Sequence, residues 1–144
     1  MNTYKGQITE LKPNEVFVFG SNTQGRHGKG AALIAKTKFG AIYGKARGLM
    51  GQSYGIITKD LTKSRTPNIS KETIEDQICE LYGYASAYSE LTFYIAYSGT
   101  GYNLNGYTPQ EMAIMFSCCT IPDNIVFEEE FAKLMTKQTQ WTTI

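Results

Sequence analysis

Long apolar runs are missing from this chain. None approaches the ~18–20 residues that cross a bilayer, and residues 1–20 hold no secretory hydrophobic stretch, so a cytoplasmic protein without a membrane span is expected. Histidine is nearly absent, with His27 the single one, and the three cysteines Cys79, Cys118 and Cys119 form no CxxC or Cys/His pattern. That spacing gives no basis for a metal centre, and an odd count reads as buried, reduced thiols. Linkers, internal repeats and low-complexity tracts are also lacking. The 144 residues, 42% hydrophobic and 19% charged, are therefore read as a single globular domain over 1–144.

Net charge is low, at +1, yet unevenly placed. Arg26 to Arg65 holds nine of the 14 Lys/Arg and one of the 13 Asp/Glu, Asp60, so the segment is +8 and the remainder −7. A basic middle suits an anionic ligand; a solvated basic face balanced by an acidic one accounts for the same pattern.

The period of apolar residues switches repeatedly between strand and helix. Tyr4 to Leu11 alternates weakly and is expected to be an edge strand. Val16 to Phe19 is an apolar run suited to a strand buried on both faces. A helix is expected from Lys29 to Phe39, stopped by Gly40, then a surface loop over 40–53 and a strand over Tyr54–Thr58. Ser70 caps a helix running to Tyr88, Thr92–Tyr97 is a strand, and Thr108-Pro109 opens a helix whose face is Met112, Met115, Phe116 and Cys119. Asn124–Phe127 gives a last strand and Glu128–Thr136 a closing helix, with Trp141 read as a dock for the tail. Strands alternating with helices predict a three-layer α/β/α fold with a mixed, mostly parallel central sheet.

Two glycine loops, 20–30 and 98–106, then fall at the carboxyl ends of strands, where ligands of such sheets sit. Gly25, Gly28 and Gly30 allow close backbone approach, the helix start offers unpaired N–H groups, and Arg26 and Lys29 add charge. Gly20-x₄-Gly25 has P-loop spacing, but Arg26 and His27 stand where Lys and Ser/Thr are needed, which excludes that NTPase. The dinucleotide pattern GxGxxG fails in both loops.

Three stretches read together resemble macrodomains, the ADP-ribose-binding α/β/α modules. Tyr4-Lys5-Gly6-Gln7-Ile8 is similar to their entry motif. Gly20-Ser21-Asn22 through Gly28-Lys29-Gly30-Ala31-Ala32 resembles their first ligand loop, and Tyr97-Ser98-Gly99-Thr100-Gly101-Tyr102 their second. GKGAALIAKTKFG over 28–40 is most similar to the branch of terminal ADP-ribose glycohydrolase and the DNA ADP-ribosyl hydrolases, and the compact size resembles phage and bacterial macro-like proteins. The resemblance implies ligand contacts from Gln7, Ile8, Ser21, Asn22, Arg26, Gly28, Lys29, Gly30, Ala31, Ser98, Gly99, Thr100, Gly101 and Tyr102. It implies a lysine nucleophile, matched by Lys36, and an aspartate partner, whose position holds Asn103. Gln7 likewise replaces the entry aspartate. An amide keeps the shape of the acid but takes no proton.

These departures favour binding of ADP-ribose, or a related NAD-derived nucleotide, over hydrolysis, with no cofactor required. An ADP-ribosyl hydrolase using Lys36 is the alternative, and a nucleic-acid binder using the +8 segment ranks third. His27 is expected at the pocket rim or in solvent. Tyr102 and Tyr107 either cover a ligand or pack.

Overall fold

A computed structural model describes residues 1–142 of the chain, with side chains as far as Met135. Trp141 thus has its side chain outside the described residues. Six strands form one sheet in the order β1 (Asn2–Tyr4), β6 (Ile125–Glu128), β5 (Thr92–Ile95), β2 (Glu15–Asn22), β4 (Ser53–Lys59), β3 (Gly48–Met50). All pairings are parallel except that of β3 with β4. Helices α1 (Gly30–Lys38), α2 (Lys71–Ala87), α3 (Pro109–Phe116) and α4 (Glu129–Thr142) cover it, giving three α/β/α layers.

The layers follow from the pleat of β2, whose successive side chains point to opposite faces. Val16 and Val18 join the larger core with Ile74, Ile78 and Leu81 of α2, Met112, Met115 and Phe116 of α3, and Phe131 of α4. Phe17 and Phe19 join a smaller core with Ala32 and Ala35 of α1, Phe39 and Met50. The four residues Val16–Phe19 are all buried, so the apolar run is what a central strand covered on both sides requires. No helix among the described residues is long and apolar enough to cross a membrane.

Three expectations need correction. The first strand covers Asn2–Tyr4, not Tyr4–Leu11. Gly6 turns the chain off the edge at φ +75°, and Ile8 and Leu11 then pack against the smaller core beneath α1. The stretch 40–53 is not all loop, because β3 pairs with β4 across Gly51-Gln52, a two-residue hairpin turn whose Gly51 has φ +59°. The cysteines are not three buried thiols: Cys79 and Cys118 are exposed, Cys119 is half-buried, and Cys79 and Cys119 are joined as a disulfide.

Candidate functional site

The order of the strands decides where a ligand can sit. β2 and β5 are parallel neighbours, but the chain leaves β2 toward α1 on one face and leaves β5 toward α3 on the other. Exits that diverge leave a crevice beyond the carboxyl ends of the two strands. Two adjoining clefts open there, of about 270 and 370 Å³.

The first cleft takes Ser21, Asn22, Arg26, Gly28 and Lys29 from the β2 exit, Lys59 from the end of β4, and Leu104 and Asn105 from the β5–α3 connection. The second takes Gln7 and Ile8 from the entry segment, Gly30, Ala31 and Ile34 from α1, and Ser98 and Glu128 from the far side. The clefts meet where α1 begins, with Lys29 in one and Gly30 in the other. Gly30, at φ +57°, turns the chain into the helix, and a Cβ built on it would touch only Leu104 Cδ1, at 3.7 Å. The first glycine-rich segment thus meets the second at Leu104, and Ser98 is on the wall of the second cleft.

The start of α1 differs from those of the other three helices. Its N-cap, Lys29, makes no side-chain cap, and its first turn carries no acid. Ser70 caps α2, Thr108 and Glu111 form a capping box on α3, and the Glu128 carboxylate accepts from the amides of Glu130 and Phe131 in α4. Donors left open at a helix start attract an anion, and Arg26, Lys29 and Lys59 supply full charges beside them. The second cleft is less basic. Its walls include Ile8, Phe17, Ala31 and Ile34, and its one ion is the Glu128 carboxylate. The pair offers one end to an anion and the other to a neutral, flat group.

Several groups on this rim hold the loops in shape. Asn22 Oδ1 accepts from the N–H groups of Gln24 (3.2 Å) and Arg26 (3.0 Å), while its Nδ2 donates to the Arg26 carbonyl at 2.8 Å. His27, expected at the rim or in solvent, is 1% exposed. Its Nε2 lies 3.0 Å from the carbonyls of both Ile42 and Lys45. Two acceptors on one nitrogen place the ring hydrogen there. Gly25 is glycine because a Cβ would lie 2.6 Å from the Gly44 carbonyl carbon, so it serves loop packing.

The second loop spends its amides internally. Gly99 N–H donates to Glu128 Oε1 at 2.8 Å and Thr100 N–H to Ser98 Oγ at 3.2 Å. A Cβ on Gly99 would lie 2.6 Å from that of Glu130, so α4 rather than a ligand requires this glycine. Gly99, Thr100 and Gly101 line neither cleft, and Tyr102 is 84% exposed. Tyr107 is a packing residue whose hydroxyl donates to the Ile69 carbonyl. Lys36 and Asn103 also line neither cleft. Lys36 is exposed, its Nζ 5.3 Å from the Tyr43 ring centroid, and Asn103 Nδ2 donates to the Tyr107 carbonyl.

Tyr97 opens the second-loop motif, which gives it no role of its own. Its ring lines the second cleft, while its hydroxyl lies over Gly20 and near Thr58 and Asn105, all three in the first. That hydroxyl is buried and makes no hydrogen bond of good geometry with either neighbour. Burial pushes the phenol up to about 12, with Thr58 and Asn105 drawing it the other way, so it stays a donor. Gly20 has to be glycine here, since any Cβ would collide with the Tyr97 hydroxyl. Compared with protein-family models, curated proteins and solved structures, the chain matches none of them.

Proposed function

We infer that the chain is a cytoplasmic binding domain of macrodomain type for ADP-ribose or a related nucleotide carrying a diphosphate. The observation that carries this reading is the uncapped start of α1, set between a cationic cleft and an apolar one at the β2/β5 crevice. Each cleft alone is near or below the ~300–1,000 Å³ of usual small-molecule sites, whereas an elongated ligand spans both. In this reading the diphosphate lies over the first turn of α1, with Arg26 and Lys29 beside it. A base rests against Ile8, Ala31 and Ile34, where Gln7 offers an amide to its polar edge. The sugar at the other end meets Ser21 and Lys59 on a floor formed by Gly20 and Thr58.

Binding is supported better than hydrolysis. Lys36 stands outside both clefts against Tyr43, and Asn103 supplies no proton acceptor of carboxylate strength. Calorimetric titration with ADP-ribose, inorganic pyrophosphate and adenosine tests the reading. ADP-ribose should bind with a Kd well below that of either fragment, and Arg26→Ala should weaken it roughly tenfold, about 1.4 kcal/mol. Equal affinity for pyrophosphate and ADP-ribose would show that only an anion is recognised. No saturable heat with ADP-ribose, alongside steeply salt-dependent oligonucleotide binding, would instead assign the +8 segment to nucleic acid. Release of ADP-ribose from a modified protein, lost in Lys36→Ala, would restore the hydrolase.

A further inference from the structure

Away from the crevice, Cys79 on α2 and Cys118 and Cys119 just beyond α3 bring their sulfurs within 4.8 Å of one another. The spacing of 79 against 118 and 119 had given no hint of this. The packing of α2 on α3 creates it, the C-terminus of α3 being the end farther from the clefts. Cys118 Sγ lies 3.5 Å from Cys79 Sγ and 3.4 Å from Cys119 Sγ. A disulfide uses two sulfurs, and this cluster holds a third against both. Three thiolates at Zn–S ≈ 2.3 Å around a tetrahedral ion stand ~3.8 Å apart, so Cys118 already lies near ligand spacing from both others, while Cys79 and Cys119, bonded to each other, part only on reduction.

The surroundings favour a cation. Glu75 is one helical turn before Cys79 on α2, with Asp76 next to it. Cys118 Sγ donates to the Glu75 carbonyl at 3.8 Å. Cys79 and Cys118 are exposed, so an ion reaches the sulfurs from solvent.

We propose that Cys79, Cys118 and Cys119 form a three-thiolate site for a thiophilic divalent cation of the zinc class, with the Cys79–Cys119 disulfide as its oxidised, ion-free form. The fourth position falls to water or to the Glu75 carboxylate. A phosphine or dithiol reductant supplies two electrons, and two protons complete the two thiols released from the disulfide. The ion then displaces the protons of the three thiols on binding. Of the metal-ligating groups among the described residues, this one alone brings three such side chains together.

Cobalt(II) alone is the probe, added anaerobically to the full chain after reduction by a phosphine. Thiolate-to-cobalt charge-transfer and tetrahedral d–d bands should saturate at one ion per chain. Zinc should displace the cobalt and shield all three thiols from maleimide. Cys118→Ser and Cys79→Ser should each weaken cobalt binding by at least roughly tenfold with unchanged far-UV circular dichroism. Wild-type affinity in Cys118→Ser, one ion per two chains, or no thiolate band would overturn the site. A Cys79–Cys119 bond that resists reduction in the folded protein would leave a structural bridge in its place.

Discussion

The two glycine-rich loops read alike as sequence and differ as physics. In the β2–α1 loop, Gly28 has open space where a Cβ would be, Gly30 touches only Leu104, and the helix that follows has no side-chain cap. In the β5–α3 loop, Gly99 is pressed against Glu130, Gly106 against Thr66 and Pro67, and the amides of Gly99, Thr100 and Tyr107 donate to Glu128, Ser98 and Asn105. Both loops use their own amides to hold themselves down, those of Gln24, Gly25, Arg26 and Gly28 in the first included. What sets the first apart is that Gly28 and Gly30 stay uncrowded and the helix start beyond them has no side-chain cap. Glycine content measures how closely the backbone can be approached, and only the packing says what approaches it.

The difference can be broken most strongly at Gly28. A Glu there meets no steric barrier, and its carboxylate enters the cleft between Arg26 and Lys29. Gly28→Glu should lower ADP-ribose affinity roughly 100-fold, about 2.7 kcal/mol, with stability within about 0.5 kcal/mol of wild type. Equal affinity on calorimetric titration would remove the anion from this cleft. The mirror experiment is Gly99→Ala, which forces a methyl group into α4. Thermal unfolding should show a loss of about 2 kcal/mol, some 6 °C in Tm; an unchanged Tm would mean that the loop yields at no expense and the contrast is false.

A smaller effect tests the helix starts themselves. Lys29→Asp gives α1 the cap it lacks, and should raise stability by up to about 1 kcal/mol while abolishing anion binding. If the variant still binds, the open donors are not the site. Smallest is the pH response of the closed start at α3. The backbone N–H of Thr108 holds the Glu111 carboxyl below its ordinary value, helped by Lys71. A lowered pKa gives stability that is present above the unfolded value, about 4.3, and is lost as pH falls through the folded one. Because Glu111 is largely solvated, the loss should be only a few tenths of a kcal/mol. Glu111→Gln should flatten that part of the acid unfolding curve, and an unaltered curve would release Glu111 from the cap.

Much of this fold was legible in the sequence. Val16–Phe19, the Ser70 cap and the Thr108–Glu111 start are local devices whose chemistry lies within a few residues, and each occurs where expected. Strand β3 was hidden because Gly48 and Gly51 mask a short edge strand, and what defines it is the partner β4. The place of the first loop beside a helix start could be read from its glycines and charges, but not that Gly25, Asn22 and His27 serve its own packing. The second could not, since Glu128 and Glu130, which occupy it, lie some thirty residues along the chain. Tyr97 was visible only as part of a motif. Its unpaired hydroxyl depends on Gly20, Thr58 and Asn105 from three other segments. The cysteine cluster belongs to the same class, for helix packing alone brings residue 79 to residues 118 and 119.

The burial of His27 has a consequence for the proposed nucleotide site. Its bifurcated bond to the Ile42 and Lys45 carbonyls, with Asn22 gripping Arg26 from the other side, fixes the loop within the folded chain. The ordering entropy of that segment is then charged to folding rather than to association. For the proposed nucleotide, a cradle ordered in this way would need no slow rearrangement, and encounter would proceed at the rate that diffusion and the basic rim allow.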